Sequence, residues 1–166
     1  MPHVPPDSPK TFEEFLEIKE AAHKARLAAE KKRLQDFADK ATKEYLEARL
    51  TLIKIAGKLG DMDGFLVQIL EDLPLEGSQF SGVAKIHVSA DPFPYFLGIK
   101  KAAMTSDAVL DTKPTMVLVR SVVNATTQNS KWIEHHKGIP EKFYELLAGQ
   151  VVAWKDHLGI YAKELK

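Results

Sequence analysis

The longest stretch of the chain without glycine or proline constrains its fold most. This stretch runs from Lys10 to Ala56, and its part from Phe12 to Ala56 has 45 residues. It is filled mainly with Ala, Leu, Glu, Lys, Arg and Gln, which lose little entropy in a helix. Thr11 and Glu14 have the spacing of a capping box at its start, and Gly57 supplies a stop signal after its end. The sequence therefore predicts one long helix over residues 12–56.

The length of this helix predicts how the chain is organised. At 1.5 Å per residue the helix extends about 68 Å, whereas a compact chain of 166 residues is about 40 Å across. We therefore expect a flexible Pro-rich lead (1–10), a long association helix (11–59) and a compact unit (60–166). The predicted fold class is α+β and helix-rich: a coiled-coil-like N-terminal helix, followed by a short β-sheet packed by helices.

The second half of the helix has a coiled-coil pattern. Apolar residues follow alternating steps of four and three: Leu34, Ala38, Ala41, Tyr45, Ala48, Leu52, Ile55 and Leu59. We interpret this seam as a surface for a second copy or another protein, with partner-binding residues Leu34, Ala41, Tyr45, Ala48, Leu52 and Ile55. Leu52→Asp is then expected to dissociate an oligomer and leave 60–166 folded. The alternative is that the seam lies on the chain's own C-terminal domain.

The first half of the helix follows a different apolar frame: Phe15, Ile18, Ala22, Ala25 and Ala29. Lys31 and Lys32 occupy the positions where the seam should continue. The helix is therefore expected to change partner, or its supercoil to unwind, between Ala29 and Leu34.

Alternation of apolar and polar residues predicts two strands in the compact unit, at 80–90 and 115–123. These two strands are expected to be neighbours in a small sheet. The remaining apolar segments have helical spacing and are predicted as a helix over 65–73, one or two helical turns over 97–104, a short helix over 130–137 and a final helix over 141–165, bent at Gly149. Polar loops are expected at 75–79 and 124–129.

No motif in the chain identifies a reaction. The absence of cysteine excludes a disulfide framework, a thiolate nucleophile and a Cys-ligated zinc site. His135 and His136 are adjacent rather than four residues apart, and no phosphate-binding loop, dinucleotide fingerprint or nucleophile elbow is present. We therefore predict a non-enzyme without metal or cofactor. The enzyme alternative places a site between the sheet and the last helix, and a deep pocket lined by His87, Arg120 and a carboxylate would favour it.

Two further segments are candidate binding elements. The basic segment, Lys24, Arg26, Lys31, Lys32 and Arg33, suggests nucleic-acid binding, although a solvated coiled-coil flank is the favoured interpretation. The loop 91–96 contains two prolines and three aromatic residues, Phe93, Tyr95 and Phe96. We interpret it either as a protein-binding knob or as a lid over the core.

These observations favour a non-catalytic structural or adaptor protein. It is expected to self-associate or bind a protein through its long helix and to present the α+β unit to another protein. A nucleic-acid-associated protein is the alternative, although 23 basic and 23 acidic residues exclude a wholly phosphate-binding surface. Apolar runs far shorter than about 20 residues and a polar start predict a soluble, intracellular (cytoplasmic) protein without a membrane partner.

Overall fold

The computed structural model describes residues 9–75, 79–104, 111–123 and 130–165. Two predicted segments, the lead up to residue 8 and the loop 124–129, lie outside them, as do residues 76–78 of the loop 75–79. The elements, in chain order, are α1 (Phe12–Gly60), β1 (Phe65–Pro74), β2 (Ser81–Val88), β3 (Tyr95–Lys100), β4 (Thr115–Val123), β5 (Ser130–Gly138), α2 (Pro140–His157) and α3 (Ile160–Glu164).

Helix α1 confirms the predicted long N-terminal helix and its capped start. The Thr11 Oγ1 accepts a hydrogen bond from the backbone N–H of Glu14 at 3.2 Å. The Glu14 carboxylate in turn accepts one from the backbone N–H of Lys10 at 2.9 Å, so two donors at the helix start are satisfied. The helix runs for 49 residues and ends at Gly60.

The described strands form one antiparallel sheet in the order β1-β2-β3-β4-β5, so each strand pairs with its sequence neighbour. The predicted α+β class is confirmed, and so are the two predicted strands, β2 and β4. The expectation that these two are adjacent is wrong, because β3 lies between them and pairs with both.

Three segments predicted to be helical are strands. Residues 65–73 lie in β1, residues 97–100 in β3 and residues 130–137 in β5. Short apolar runs fit the helical and the strand period about equally well, and cross-strand pairing decides between them. In β1, for example, Phe65 packs into the core while its neighbour Leu66 is exposed, which is the alternation of a strand.

A pair of glycines lets the chain cross the outer face of the sheet. Gly82 of β2 pairs with Gly98 of β3. A Cβ atom at either glycine would lie 3.0 Å from a methyl carbon of Leu75, the residue after β1. Leu75 therefore packs directly over the two backbones and forms a small second core with Val117 and Val119.

The larger core lies between the inner face of the sheet and the helices α1 and α2. It comprises side chains from α1 (Ala48, Leu52, Ala56, Leu59), from the sheet (Phe65, Val83, Ala84, Ile86, Val88, Tyr95, Leu97, Ile99, Met116, Leu118) and from α2 (Phe143, Leu147, Trp154). Helix α2 continues through Gly149 and ends at His157, with Leu158 as its C-cap. The predicted final helix is interrupted at Gly159, whose φ of 76° is favourable for glycine, and α3 follows.

The chain divides into two compact units, one ending at Asp39 and the other beginning at Lys40. The second unit contains the sheet, α2 and α3, together with residues 40–60 of α1. The boundary therefore falls within α1 rather than near residue 60, because the second half of α1 belongs to the core of the folded unit.

Candidate interaction surfaces

The N-terminal segment of α1, residues 12–34, is almost entirely exposed. Every residue from Phe12 to Lys32 is exposed, and Arg33 is half-buried. The exposed side chains include six large apolar ones: Phe12, Phe15, Leu16, Ile18, Leu27 and Leu34. At about 100° per residue Phe12, Leu16, Leu27 and Leu34 share one face of the helix, and Phe15 and Ile18 lie on another. The segment therefore offers exposed apolar side chains to another chain on two faces.

The predicted seam has two different environments. Leu34 is exposed in the N-terminal segment, whereas Ala41, Ala48 and Leu52 are buried. Tyr45 and Ile55 are partly buried and pack against the core.

From Ala41 onward, the interpretation of the seam as a surface for a second chain is therefore corrected. Ala48, Leu52 and Leu59 share one core cluster with side chains of the sheet and of α2. The alternative that the helix lies on its own C-terminal domain applies to this half of α1. The heptad pattern identified the buried face, but the chain itself covers that face.

Polar contacts add to this packing. The Arg49 Nη2 donates a hydrogen bond to the carbonyl oxygen of Leu70 in β1 at 3.2 Å. The Thr112 Oγ1 donates to the Glu44 Oε2 at 2.5 Å, and the Thr112 side chain is buried. Both contacts join α1 to segments that follow it in the sequence, so they fix the position of residues 40–60 in the folded unit.

The loop 91–96 is held by an ion pair between Asp91 and Arg120 of β4. The Asp91 Oδ2 also accepts a hydrogen bond from the Tyr95 hydroxyl at 3.3 Å. The Arg120 guanidinium lies over two rings, 5.0 Å from the centroid of Tyr95 and 5.6 Å from that of Phe93. The sequence did not predict this ion pair, because its partners lie 29 positions apart in the chain.

The aromatic side chains of this loop pack on their own unit. Tyr95 is 6% exposed and lies 4.9 Å, between ring centroids, from Trp154 of α2. Phe96 packs edge-on against Trp132 at 5.3 Å. Tyr95 and Phe96 lie at the start of β3 rather than in a loop, so the predicted loop is shortened to residues 91–94. Tyr95 belongs to the larger core, and Phe96 packs against the smaller one. Partner binding by Phe93, Tyr95 and Phe96 stays a prediction, and for Tyr95 it would require the ring to leave the core.

The histidines His135 and His136, near the end of the predicted 130–137 helix, lie on β5 instead. The ring of His135 lies 5.2 Å from that of Tyr95. Burial lowers the pKa of His135, and the nearby charges of Arg120 and His136 lower it further. The His136 Nε2 lies 3.0 Å from the Gln150 Oε1 of α2. Within the described ranges, no three His, Asp or Glu side chains are grouped so that they could hold a metal ion.

A cavity of about 410 Å³ lies between the turn after α1 and the turn after β2. Its lining includes Gly64, His87 and Asp91. Arg120 pairs with Asp91 but does not line this cavity. The cavity thus brings together His87 and a carboxylate, two of the three groups named for the enzyme alternative.

The basic segment lies within the N-terminal segment. Lys24, Arg26, Lys31 and Lys32 are exposed. Arg33 forms a two-point ion pair with Glu30, at 2.6 and 3.0 Å, which lowers the pKa of Glu30.

No helix among the described residues is both long and apolar enough to cross a membrane. No protein-family model, curated protein or solved structure matches this chain.

Proposed function

We propose that this chain is a non-catalytic interaction protein, in which the N-terminal segment of α1 binds another protein chain and residues 40–165 form the folded body that it presents. The observation that carries the proposal is the exposure of six large apolar side chains along one uninterrupted helical segment. This moves the association surface from residues 41–59, which the folded unit uses, to residues 12–34.

The energetics support a partner for this segment. Burial of a Phe, Ile or Leu side chain contributes about 1.5–3 kcal/mol. Most helical stability in proteins comes from packing of an apolar face rather than from helix propensity. A partner that covered Phe15 and Ile18 would therefore stabilise both the helix and the complex.

Sedimentation velocity of the full chain tests the proposal, because it measures assembly without a labelled ligand. We expect a concentration-dependent assembly that Phe15→Gln/Ile18→Gln weakens by at least about tenfold in Kd, since about 1.4 kcal/mol of lost burial corresponds to that factor. Gln preserves charge and helix propensity.

The matched control is Leu46→Gln/Leu50→Gln, which removes two exposed apolar side chains from the second half of the same helix. This variant should assemble like the wild type. Equal weakening by both pairs, or a monomer at every concentration together with failure of the chain to bind any protein, would contradict the proposal.

The exposed cations of the basic segment favour a second candidate function, nucleic-acid binding. Here the affinity for a labelled duplex should fall steeply between two salt concentrations, because bound phosphates release counterions. Replacement of Lys31, Lys32 and Arg33 by Gln should abolish that binding. Under the interaction-protein proposal the chain binds the duplex weakly. Replacing these three cations then leaves the apolar contacts with the protein partner in place.

A further inference from the structure

The charges of the N-terminal segment are separated along its length. Residues 12–22 contain four carboxylates and one lysine: Glu13, Glu14, Glu17 and Glu20, with Lys19. Residues 23–33 contain five cations and one carboxylate: Lys24, Arg26, Lys31, Lys32 and Arg33, with Glu30. The segment is therefore acidic in its first half and basic in its second.

The acidic half and the basic half are far enough apart to interact with a partner separately. Residues 12–33 extend about 33 Å at 1.5 Å per residue, several times the screening length of about 8 Å at physiological salt. A second copy aligned in parallel would place acid against acid and base against base. An antiparallel copy places the acidic half of each helix beside the basic half of the other.

The apolar frame of the first half, Phe15 to Ala29, also changes along the segment, from large side chains to small ones. Phe15 and Ile18 lie in the acidic half, and Ala25 and Ala29 in the basic half, with Ala22 between them. Facing helices pack best when large side chains meet small ones. Parallel copies would oppose Phe15 to Phe15 and leave the alanine end poorly filled, whereas antiparallel copies oppose Phe15 to Ala29.

From these two independent patterns we infer that the partner of the N-terminal segment is a second copy of this chain, bound antiparallel with its two-fold axis near Ala22. The inference rests on the proposed association function and adds to it the identity and direction of the partner. The resulting interface is isologous: each copy contributes one acidic and one basic half, so the dimer closes on itself.

Disulfide trapping in the full-length protein tests the direction. The chain has no cysteine, so each introduced cysteine is unique. Ala22→Cys and Ala29→Cys are matched variants, the same exchange on the same exposed helix face. In the antiparallel dimer the two copies of residue 29 lie about 21 Å apart along the axis, beyond the Cα separation of about 7 Å that a disulfide spans.

With oxidised glutathione as the oxidant, Ala22→Cys should therefore form covalent dimer at least about tenfold faster than Ala29→Cys. A mixture of Ala29→Cys with a tagged Phe15→Cys chain should yield the mixed dimer in preference to either homodimer. Circular dichroism of each reduced variant verifies that the helix is intact.

The alternative outcomes separate the inference from the function on which it rests. A sedimenting dimer in which both alanine variants cross-link at equal rates would overturn the antiparallel direction and leave association in place. A dimer in which neither variant cross-links would overturn the role of this face in self-pairing. A chain that sediments as a monomer at all concentrations would overturn the self-partner, and the capture of a different protein by Phe15 and Ile18 would then be the surviving form of the function.

Discussion

The two halves of helix α1 form one continuous helix, yet the apolar face is buried in the second half and exposed in the first. In residues 40–60 the apolar face is covered by the chain's own sheet and by α2, and Leu52 is fully buried. In residues 12–34 the apolar side chains are exposed; Leu27, for example, is 57% exposed. A helix can thus serve two purposes along its length, as a core element in one half and as a surface in the other.

This difference explains why an apolar repeat alone does not identify an interface. The a/d pattern is stronger in the second half, where the face is internal, than in the first half, where it is free. A strong repeat indicates that a face is buried, and the energy of burial is the same whether the cover comes from the same chain or from another. Substitutions in the two halves should therefore differ in their effect on the unfolding free energy of the folded unit.

The largest effect is expected from Leu52→Asp. This change places a carboxylate at a position with 0% exposure, among the apolar side chains of the larger core. An unpaired buried charge costs several kcal/mol, about 3–5, so the whole folded unit should unfold or lose most of its stability. Circular dichroism during urea unfolding measures this loss.

Leu50→Asp is the matched control, because Leu50 lies two residues earlier and is 57% exposed. It should change the unfolding free energy by less than about 0.5 kcal/mol. Dissociation of an oligomer by Leu52→Asp with the folded unit intact would contradict the assignment of this half to the core.

A moderate effect is expected from Thr112→Val, which keeps the shape of a buried side chain and removes its hydroxyl. The Glu44 carboxylate on α1 then loses the hydrogen bond that Thr112 donates to it. Since Glu44 is only half-buried, water replaces part of the lost bond, and the expected cost is about 1–2 kcal/mol. Urea unfolding at neutral pH measures it, and an unchanged midpoint would show that this contact does not hold α1 in place.

A small, pH-dependent effect is expected at His135. Its pKa in the folded chain lies below the ordinary value of 6.5 because of burial and of the charges of Arg120 and His136. As the pH falls below 6.5 the unfolded chain binds the proton first, so the folded state loses stability until the pH falls below the folded pKa. At pH 7.5 both states are neutral and the contribution is absent.

His135→Gln should therefore be less sensitive than the wild type to a fall from about pH 7.5 to pH 5, by well under 1 kcal/mol because the ring is largely exposed. Urea midpoints at several pH values measure the difference. His23→Gln in the N-terminal segment is the control, since His23 lies outside the folded unit. A parallel pH dependence for His135→Gln and wild type would contradict this contribution.

The smallest effect is expected from Ala25→Pro. Proline in a helix interior removes a hydrogen bond and costs about 3 kcal/mol locally. Because Ala25 is exposed and lies in the first compact unit, the helical signal should fall while the urea midpoint of the second unit stays unchanged. A lowered midpoint would show that the two halves of α1 unfold together, and would remove the contrast between them.

Part of the fold follows from local sequence signals. β4 has the bounds that its Val-rich alternation predicts, and the Thr11 cap forms as its spacing requires. The segments that became β1, β3 and β5 carry no comparable signal. In β3, for example, Gly98 has a low strand propensity. Its lack of a side chain is needed only because Leu75 packs across it and Gly82.

The candidate surfaces divide in the same way. The exposure of Phe15 and Ile18 agrees with a first half whose apolar frame does not join the seam. The ion pair between Asp91 and Arg120 had no sequence signal, because it depends on the position of a loop beside a strand that is distant in the chain.

The sequence by itself determined that residues 12–56 form a helix and which face of its second half is buried, because helix propensity, capping and periodicity are local properties. Only the tertiary structure decided what covers that face and which short apolar segments become strands. Both outcomes depend on contacts between residues far apart in the chain, such as Leu52 with the sheet and Gly82 with Gly98, and one-dimensional periodicity carries no information about which partner a face will meet.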